Sequence, residues 1–296
     1  LTLNIVDSEE SLAEDLLSGY YDAAYIRGYE SSGIDEKSGV TLTPYSNTSW
    51  MIVMNGTDGI FANKDARHAF LLSLTDINYE DFPYLQKAEG YVPPTCTANG
   101  ASYIDSVSSV VESANAGEAV ALWRDAIAKE KLYTQEITML VPDYMEDVAR
   151  ALVQGIQAGI GSVSNVNGTD VDFTVTIEPM AESEMKSKIA SSDYDIALYP
   201  YTANSTSPVS FLQSFADIGY AKFNSNAFSR ALEQAASADA ESLAQACLDC
   251  EKALYENYSF LPVFYESCYY AQAKGVSGVQ FHPGSGRVSF INATRK

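Results

Sequence analysis

The side chains able to do chemistry are few, and they match the common catalytic sets poorly. Cys247-Leu248-Asp249-Cys250 has the spacing of a metal or redox pair. It sits inside a helix-like run, however, and not at a strand–helix turn where a thiol is activated. A structural zinc would also need Cys96 and Cys268 to converge on it; the competing reading is small helix-facing side chains, or one disulfide to Cys268. His68 and His282 are the two histidines, which weakens a Ser–His–Asp triad or a His-rich metal cage. Ser191-Ser192 lacks the glycines of a nucleophile elbow, and Asp170-Val171-Asp172 lacks the rest of a calcium loop. A carboxylate pair for glycan hydrolysis can be sought among the 39 acids, with Asp143 and Glu178 the candidates at strand ends, but no spacing singles one out. The expectation is no catalytic residue, no metal and no cofactor.

What remains is binding chemistry, and its strongest candidate is the loop Pro200-Tyr201-Thr202-Ala203-Asn204-Ser205. It follows Tyr194-Asp195-Ile196-Ala197-Leu198-Tyr199, a buried-strand pattern. Parallel α/β sheets bind ligands at the carboxyl ends of their strands. Upstream, Ile137–Val141 reads as a strand, and Pro142-Asp143 opens a helix with an apolar stripe from Met145 to Ile160. Val171, Phe173, Val175 and Ile177 alternate with polar residues as a second strand, and Met185 and Ile189 mark a second helix. This β-α-β-α-β order predicts parallel pairing. Tyr45, Trp50, Tyr201 and Tyr269 are the aromatic side chains nearest the expected connections between lobes.

The rest of the chain is read more coarsely. Leu3 and Ile5 alternate as a first strand, Asp7-Ser8-Glu9-Glu10 starts a helix carrying Leu12, Leu16 and Leu17, and Tyr20–Ile26 is a strand. Residues 27–49 read as connection plus one short strand, and Trp50–Met54 as a buried strand ending at Asn55-Gly56. Asn63-Lys64-Asp65 caps the helix of Ala66, Phe70 and Leu74, residues 78–105 are loop-like, and another helix follows Gly117. Asn226 is placed as a helix cap, a longer helix spans about 240–258, and Phe260–Tyr265 and Cys268–Gln272 are strand material. Leu16–Tyr25 echoes Lys188–Tyr199: helix end, short turn, Tyr-Asp, apolar strand. Two copies of one unit suit two α/β lobes.

Composition bounds the function. The 296 residues hold 18 Lys plus Arg against 39 Asp plus Glu, a formal charge of −21, and are 46% hydrophobic. Such a charge repels nucleic acid and anionic membranes, and no apolar run reaches the ~18 residues of a membrane helix. Without Met at the start or a signal-like segment, the chain is expected to be processed or excised from a longer one.

The residues then match a family. Ser18-Gly19-Tyr20-Tyr21-Asp22-Ala23-Ala24, Asn55 followed by Phe61-Ala62-Asn63-Lys64-Asp65-Ala66-Arg67-His68-Ala69-Phe70, Asp193–Ala197, Ser207-Pro208-Val209-Ser210-Phe211-Leu212, Asn226–Leu232 and Leu261–Phe264 occur in the family's order. The chain resembles the C-terminal half of the extracellular solute-binding proteins of the peptide/nickel/oligopeptide class (family 5), which serve ABC importers. The resemblance implies an α/β, periplasmic-binding-protein-like fold of class II/cluster C type: a lobe with a parallel-rich sheet flanked by helices, plus part of a second lobe. Residues 1–47 and 272–296 would belong to lobe one and 48–271 to lobe two. It also implies an extracytoplasmic protein, lipid-anchored at the cell surface or periplasmic. That protein would capture a peptide or similar solute and pass it to permease subunits without catalysis. The implied ligand-binding set is Tyr201, Thr202, Ala203, Asn204, Tyr45, Asn47 and Trp50. Peptide-binding members commonly carry Asp where Asn204 stands, and Asn cannot pair with a ligand ammonium. An acidic glycan hydrolase and a surface adhesion module are the alternative readings.

Overall fold

A computed structural model describes residues 2–4, 12–216 and 225–296. The expected strand at Ile5 and the helix-start signal Asp7–Glu10 lie outside the described residues, and Leu3 is exposed and itself in no strand.

The strands of the main sheet are β1 (Ala23–Ile26), β2 (Thr41–Met54), β3 (Leu85–Lys87), β4 (Thr134–Pro142), β5 (Asp172–Met180), β6 (Ile196–Thr202) and β7 (Phe260–Gln272). Its helices are α1 (Leu12–Ser18), α2 (Lys64–Ser73), α3 (Ala116–Glu130), α4 (Glu146–Gly161), α5 (Glu182–Ala190), α6 (Pro208–Gln213), α7 (Asn226–Ser237) and α8 (Leu243–Tyr255). A C-terminal hairpin pairs β8 (Gln280–His282) with β9 (Arg287–Ser289). The sheet order is β1-β7-β2-β6-β4-β5, with β3 beside β1 on the free edge of β7.

The predicted β-α-β-α-β wing is present: β4 lies between β5 and β6, parallel to both. The sheet as a whole is mixed, because β1, β7, β2 and β6 pair antiparallel. Pro200 is tolerated inside β6 because β4 pairs only with Ile196 and Ala197, so the amide that proline lacks faces no partner there. Residues 27–49 hold more strand than expected, since β2 starts at Thr41 and runs 14 residues. Phe260–Tyr265 and Cys268–Gln272 likewise form one strand. Asn63 caps α2 by accepting from the Asp65 amide at 2.9 Å. Ser225 caps α7, accepting from the Phe228 amide at 3.2 Å, so Asn226 is the first helical residue and not the cap.

The repeat seen in sequence is a structural repeat. After α1 the Gly19 amide donates to the Leu16 carbonyl and Tyr20 to Asp15; after α5, Ser192 donates to Ile189 and Asp193 to Lys188. Gly19 (φ 75°) and Ser192 (φ 59°) both take the left-handed conformation that ends a helix.

Among the described residues two apolar cores form. The large one packs α2, α3, α4 and α8 against β2, β4, β6 and the first half of β7, around Trp50, Phe70, Trp123, Met139, Leu198 and Phe260. The small one gathers Leu12 and Leu16 of α1 with Ile26, Ile34 and Ala271. Strands β2 and β7 run through both.

Candidate ligand-binding face

The carboxyl ends of β4, β5 and β6 supply the expected face. β4 ends at Pro142 and delivers Tyr144; β5 ends at Met180 and α5 opens with Glu182; β6 ends at Thr202 and leads to Ala203 and Asn204. Over the first two ends lies Arg27, from the segment after β1. Its guanidinium sits 4.5 Å above the Tyr144 ring, 3.6 Å from Glu182 and 3.4 Å from Glu266 of β7. Tyr29 stacks on the other part of this cluster, its ring 5.7 Å from Tyr144, whose hydroxyl donates to Glu182 at 3.1 Å. Burial pushes the Tyr144 phenol up; Arg27 opposes that and Glu182 adds to it. Sequence reasoning missed Arg27, Tyr144, Glu182 and Glu266. Their partners lie up to 239 residues apart, so no local spacing announces them.

The third end is open and neutral. Thr202 and Asn204 are exposed, and the Thr202 hydroxyl meets that of Thr48 at 3.1 Å. The Ala203 amide donates to the Asn47 carbonyl at 2.7 Å, and the Asn47 side chain returns a bond to the Ala203 carbonyl at 3.3 Å. Four of the seven predicted residues, Asn47, Thr202, Ala203 and Asn204, therefore share one junction. Of the other three, Tyr201 and Trp50 do not present rings there. Tyr201 is 8% exposed and stacks on Phe215 at 4.8 Å. Trp50 is fully buried, its indole donating to Glu266 at 2.8 Å. Tyr45 packs against Tyr25 and Phe281 of the C-terminal hairpin, and burial raises its phenol. The hairpin reaches the same junction: a Cβ on Gly284 would lie 2.4 Å from the Thr206 methyl, so the two segments are in close contact there.

The candidates for other chemistry stay apart. Cys247 and Cys250 lie in α8, and all four cysteines are buried with no disulfide among them, so the pairing with Cys268 is not formed. Burial pushes the Cys96, Cys247 and Cys250 thiols up to about 12, the inert direction. Among the described residues no group of three or more metal-type side chains converges. His68 stacks on Tyr258 and meets Glu112 at 2.9 Å, while His282 is exposed on the hairpin. Asp143 is exposed, and Glu178 is bonded to Lys188 at 2.6 Å. Among the described residues no helix is long and apolar enough to cross a membrane.

A mixed α/β sheet opening a polar face at its parallel strand ends defines a binding fold in which the carboxyl ends of the strands meet a ligand. The chain belongs to the bacterial extracellular solute-binding proteins of family 5: residues 1–222 match the model of that family's middle region. Solved structures agree in fold. The substrate-binding domain of an oligopeptide ABC transporter from Bacillus anthracis str. Ames superposes with a TM-score of 0.74 at 18% identity. Listeria monocytogenes OppA bound to peptide gives 0.75 at 15%, and a dipeptide-binding protein from Pseudoalteromonas sp. SM9913 in complex with Met-Leu gives 0.72 at 14%. The matches cover 98–99% of this chain and 57% of each of those chains, so it spans a little over half their length. No curated protein sequence matches it.

Proposed function

We propose that the chain is the solute-gripping part of the extracytoplasmic binding component of an ABC importer. It holds a peptide or a similar small solute between two lobes and releases it unchanged to the permease. The observation that carries this reading is family membership over three quarters of the chain, joined to an open junction at Thr202–Asn204 whose side chains are neutral. Residues 1–47 with 272–296, and 48–271, are the two lobe segments we assign. The two separate apolar cores, with β2 and β7 running through both, support two lobes and the crossing near residue 47; on β7, Ala271 and Tyr269 pack in the small core, which favours a crossing nearer Ser267 than Ala271. An extracytoplasmic location, with or without a lipid anchor, follows from the family's role.

Asn204 gives the ligand a stated chemistry. A neutral amide accepts from and donates to a peptide bond or a sugar hydroxyl, but it supplies no charge to an ammonium group. The test is calorimetric titration of the longest natural form of the chain with peptide pools, free and N-acetylated, beside an oligosaccharide panel, with mass spectrometry of the recovered solute. Peptides are expected to bind and return at unaltered mass, with acetylated and free forms within about 3-fold. Asn204→Asp should favour the free amino terminus by about 10-fold, the size of one charge-assisted bond. Cleavage of the solute, or binding by no peptide, would overturn the reading.

A further inference from the structure

The two cores are joined by β2 and β7, and the ladder between these strands breaks where one core gives way to the other. Glu266 pairs with Thr48 and Cys268 with Tyr45, so Ser46 and Asn47 stand opposite the single residue Ser267. This is a bulge, the place where a strand pair bends most easily. Its backbone groups are taken up by other segments. The Ser46 carbonyl accepts from Thr95 at 3.0 Å, the Asn47 carbonyl from Ala203 at 2.7 Å, and the Ser267 amide donates to Tyr84 at 2.8 Å. The ligand-facing loop is thus bonded to the bend itself.

Arg27 spans this bend. It follows β1, whose Ile26 belongs to the small core, and Gly28 seats it: a Cβ there would lie 2.3 Å from the Ser267 carbonyl oxygen and from the Tyr84 Cβ. From the small-core side its guanidinium meets the fully buried Glu266 at 3.4 Å, which lies just on the large-core side of the bulge and also holds the Trp50 indole. It also meets Glu182 at 3.6 Å and lies over Tyr144, both carried by the parallel wing of the large core. The contact with Glu266 is the anchored one. The contact with Glu182 joins two side chains 25% and 28% exposed, so water and salt compete with it.

We propose that Arg27 is the latch of a hinge at Ser46–Asn47 and Ser267. It is fixed to the hinge strand through Glu266, grips α5 through Glu182 and Tyr144, and holds the two cores in their approached arrangement. This rests on the two-lobe reading above and adds a device that sets the open–closed balance. Closing on a solute then includes making the Arg27–Glu182 contact.

The test is a distance between spin labels at Ser18→Cys on α1 and Ser187→Cys on α5, both exposed, in the full chain without any solute. The native cysteines are buried and do not compete for label. The expected result is one narrow distance in the parent. Glu182→Gln should lengthen and broaden it, Glu182→Arg should do so further, and 1 M salt, with a screening length of ~3 Å, should move the parent toward Glu182→Gln. In the longest natural form, Glu182→Gln should weaken solute binding by about 2- to 5-fold. An unchanged distance in Glu182→Gln and across the salt series overturns the latch, even if Glu182→Arg fails to fold. Because no solute is present, this result is separate from whether peptides bind.

Discussion

Two glutamates are buried as deeply as any residue of the large core, Glu251 at 1% exposure and Glu266 at 0%, yet they are satisfied in opposite ways. Glu251, on α8, accepts from the amides of Tyr91 and Val92 at 2.6 and 3.0 Å and from the Tyr103 hydroxyl at 2.5 Å. Each of those donors is neutral and comes from the long loop between β3 and α3. Gly90 is glycine for this reason, since a Cβ would come within 2.7 Å of the Glu251 carboxylate. Glu266 is instead shared between the Trp50 indole and the Arg27 guanidinium, beside a break in the strand ladder. The contrast separates a staple from a joint. Fixed neutral dipoles hold a loop in one place, whereas a long cationic side chain can keep one carboxylate and exchange the other.

The largest expected effect tests the staple. Glu251→Ala strands two buried amides and a hydroxyl and should cost about 3–5 kcal/mol of unfolding free energy, read from urea midpoints. A loss below about 1 kcal/mol would mean that the loop is held by something else. Glu251→Gln is milder, because the amide oxygen can accept from Tyr91 and Val92 while its NH2 donates to the Tyr103 oxygen. Burial raises the Glu251 carboxyl above its ordinary 4.5, with its hydrogen bonds opposing. The folded chain therefore holds that proton more tightly than the unfolded chain. The resulting stability is full below the ordinary carboxylate value and is lost as pH rises from there through the raised folded value. Glu251→Gln should remove that slope, and midpoints that fall equally with pH in both proteins would break the assignment.

Glu266→Gln comes next, at about 1–3 kcal/mol, since it leaves the half-buried Arg27 without its nearer countercharge. It should also shift the emission of Trp50, whose indole donates to that carboxylate, while a Trp123→Phe background keeps the signal to one residue. An unmoved spectrum together with unmoved stability would remove the distinction between the two sites.

The same contrast explains what the sequence reveals. The parallel wing is legible because β5 alternates apolar and polar residues, and α4 keeps its stripe from Val148 to Ile160 buried against the sheet. The repeat at Tyr20-Tyr21-Asp22 and Asp193-Tyr194-Asp195 is legible because a left-handed helix end needs small or Asx residues. The outer half of β2 is not, because Thr41–Asn47 is polar, contains Pro44 and sends mainly Leu42 into the small core. Within the candidate site, the loop at Thr202–Asn204 follows from its place after a buried strand. Proximity to a connection makes Trp50 a candidate, and its full burial shows that an indole N–H can be satisfied inside by a distant acid. Arg27 looks like any surface arginine until Glu182 and Glu266 are brought to it from 155 and 239 residues away.

The smallest effect separates the latch's grip from its anchor. Tyr144→Phe keeps the ring under Arg27 but removes the hydroxyl that bonds Glu182 at 3.1 Å. The cation–ring contact and the Glu266 pair survive, so stability should fall by about 0.5–1 kcal/mol, the worth of one partly exposed hydrogen bond. Glu182, freed from one of its three partners and left with Arg27 at 3.6 Å and Lys186 at 3.0 Å, should then hold Arg27 less firmly, and the spin-label distance should broaden without lengthening as far as in Glu182→Gln. If Tyr144→Phe instead matched Glu266→Gln in stability and in Trp50 emission, the hydroxyl would belong to the buried anchor. The division between a fixed carboxylate and an exchangeable one would then lie elsewhere than between Glu266 and Glu182.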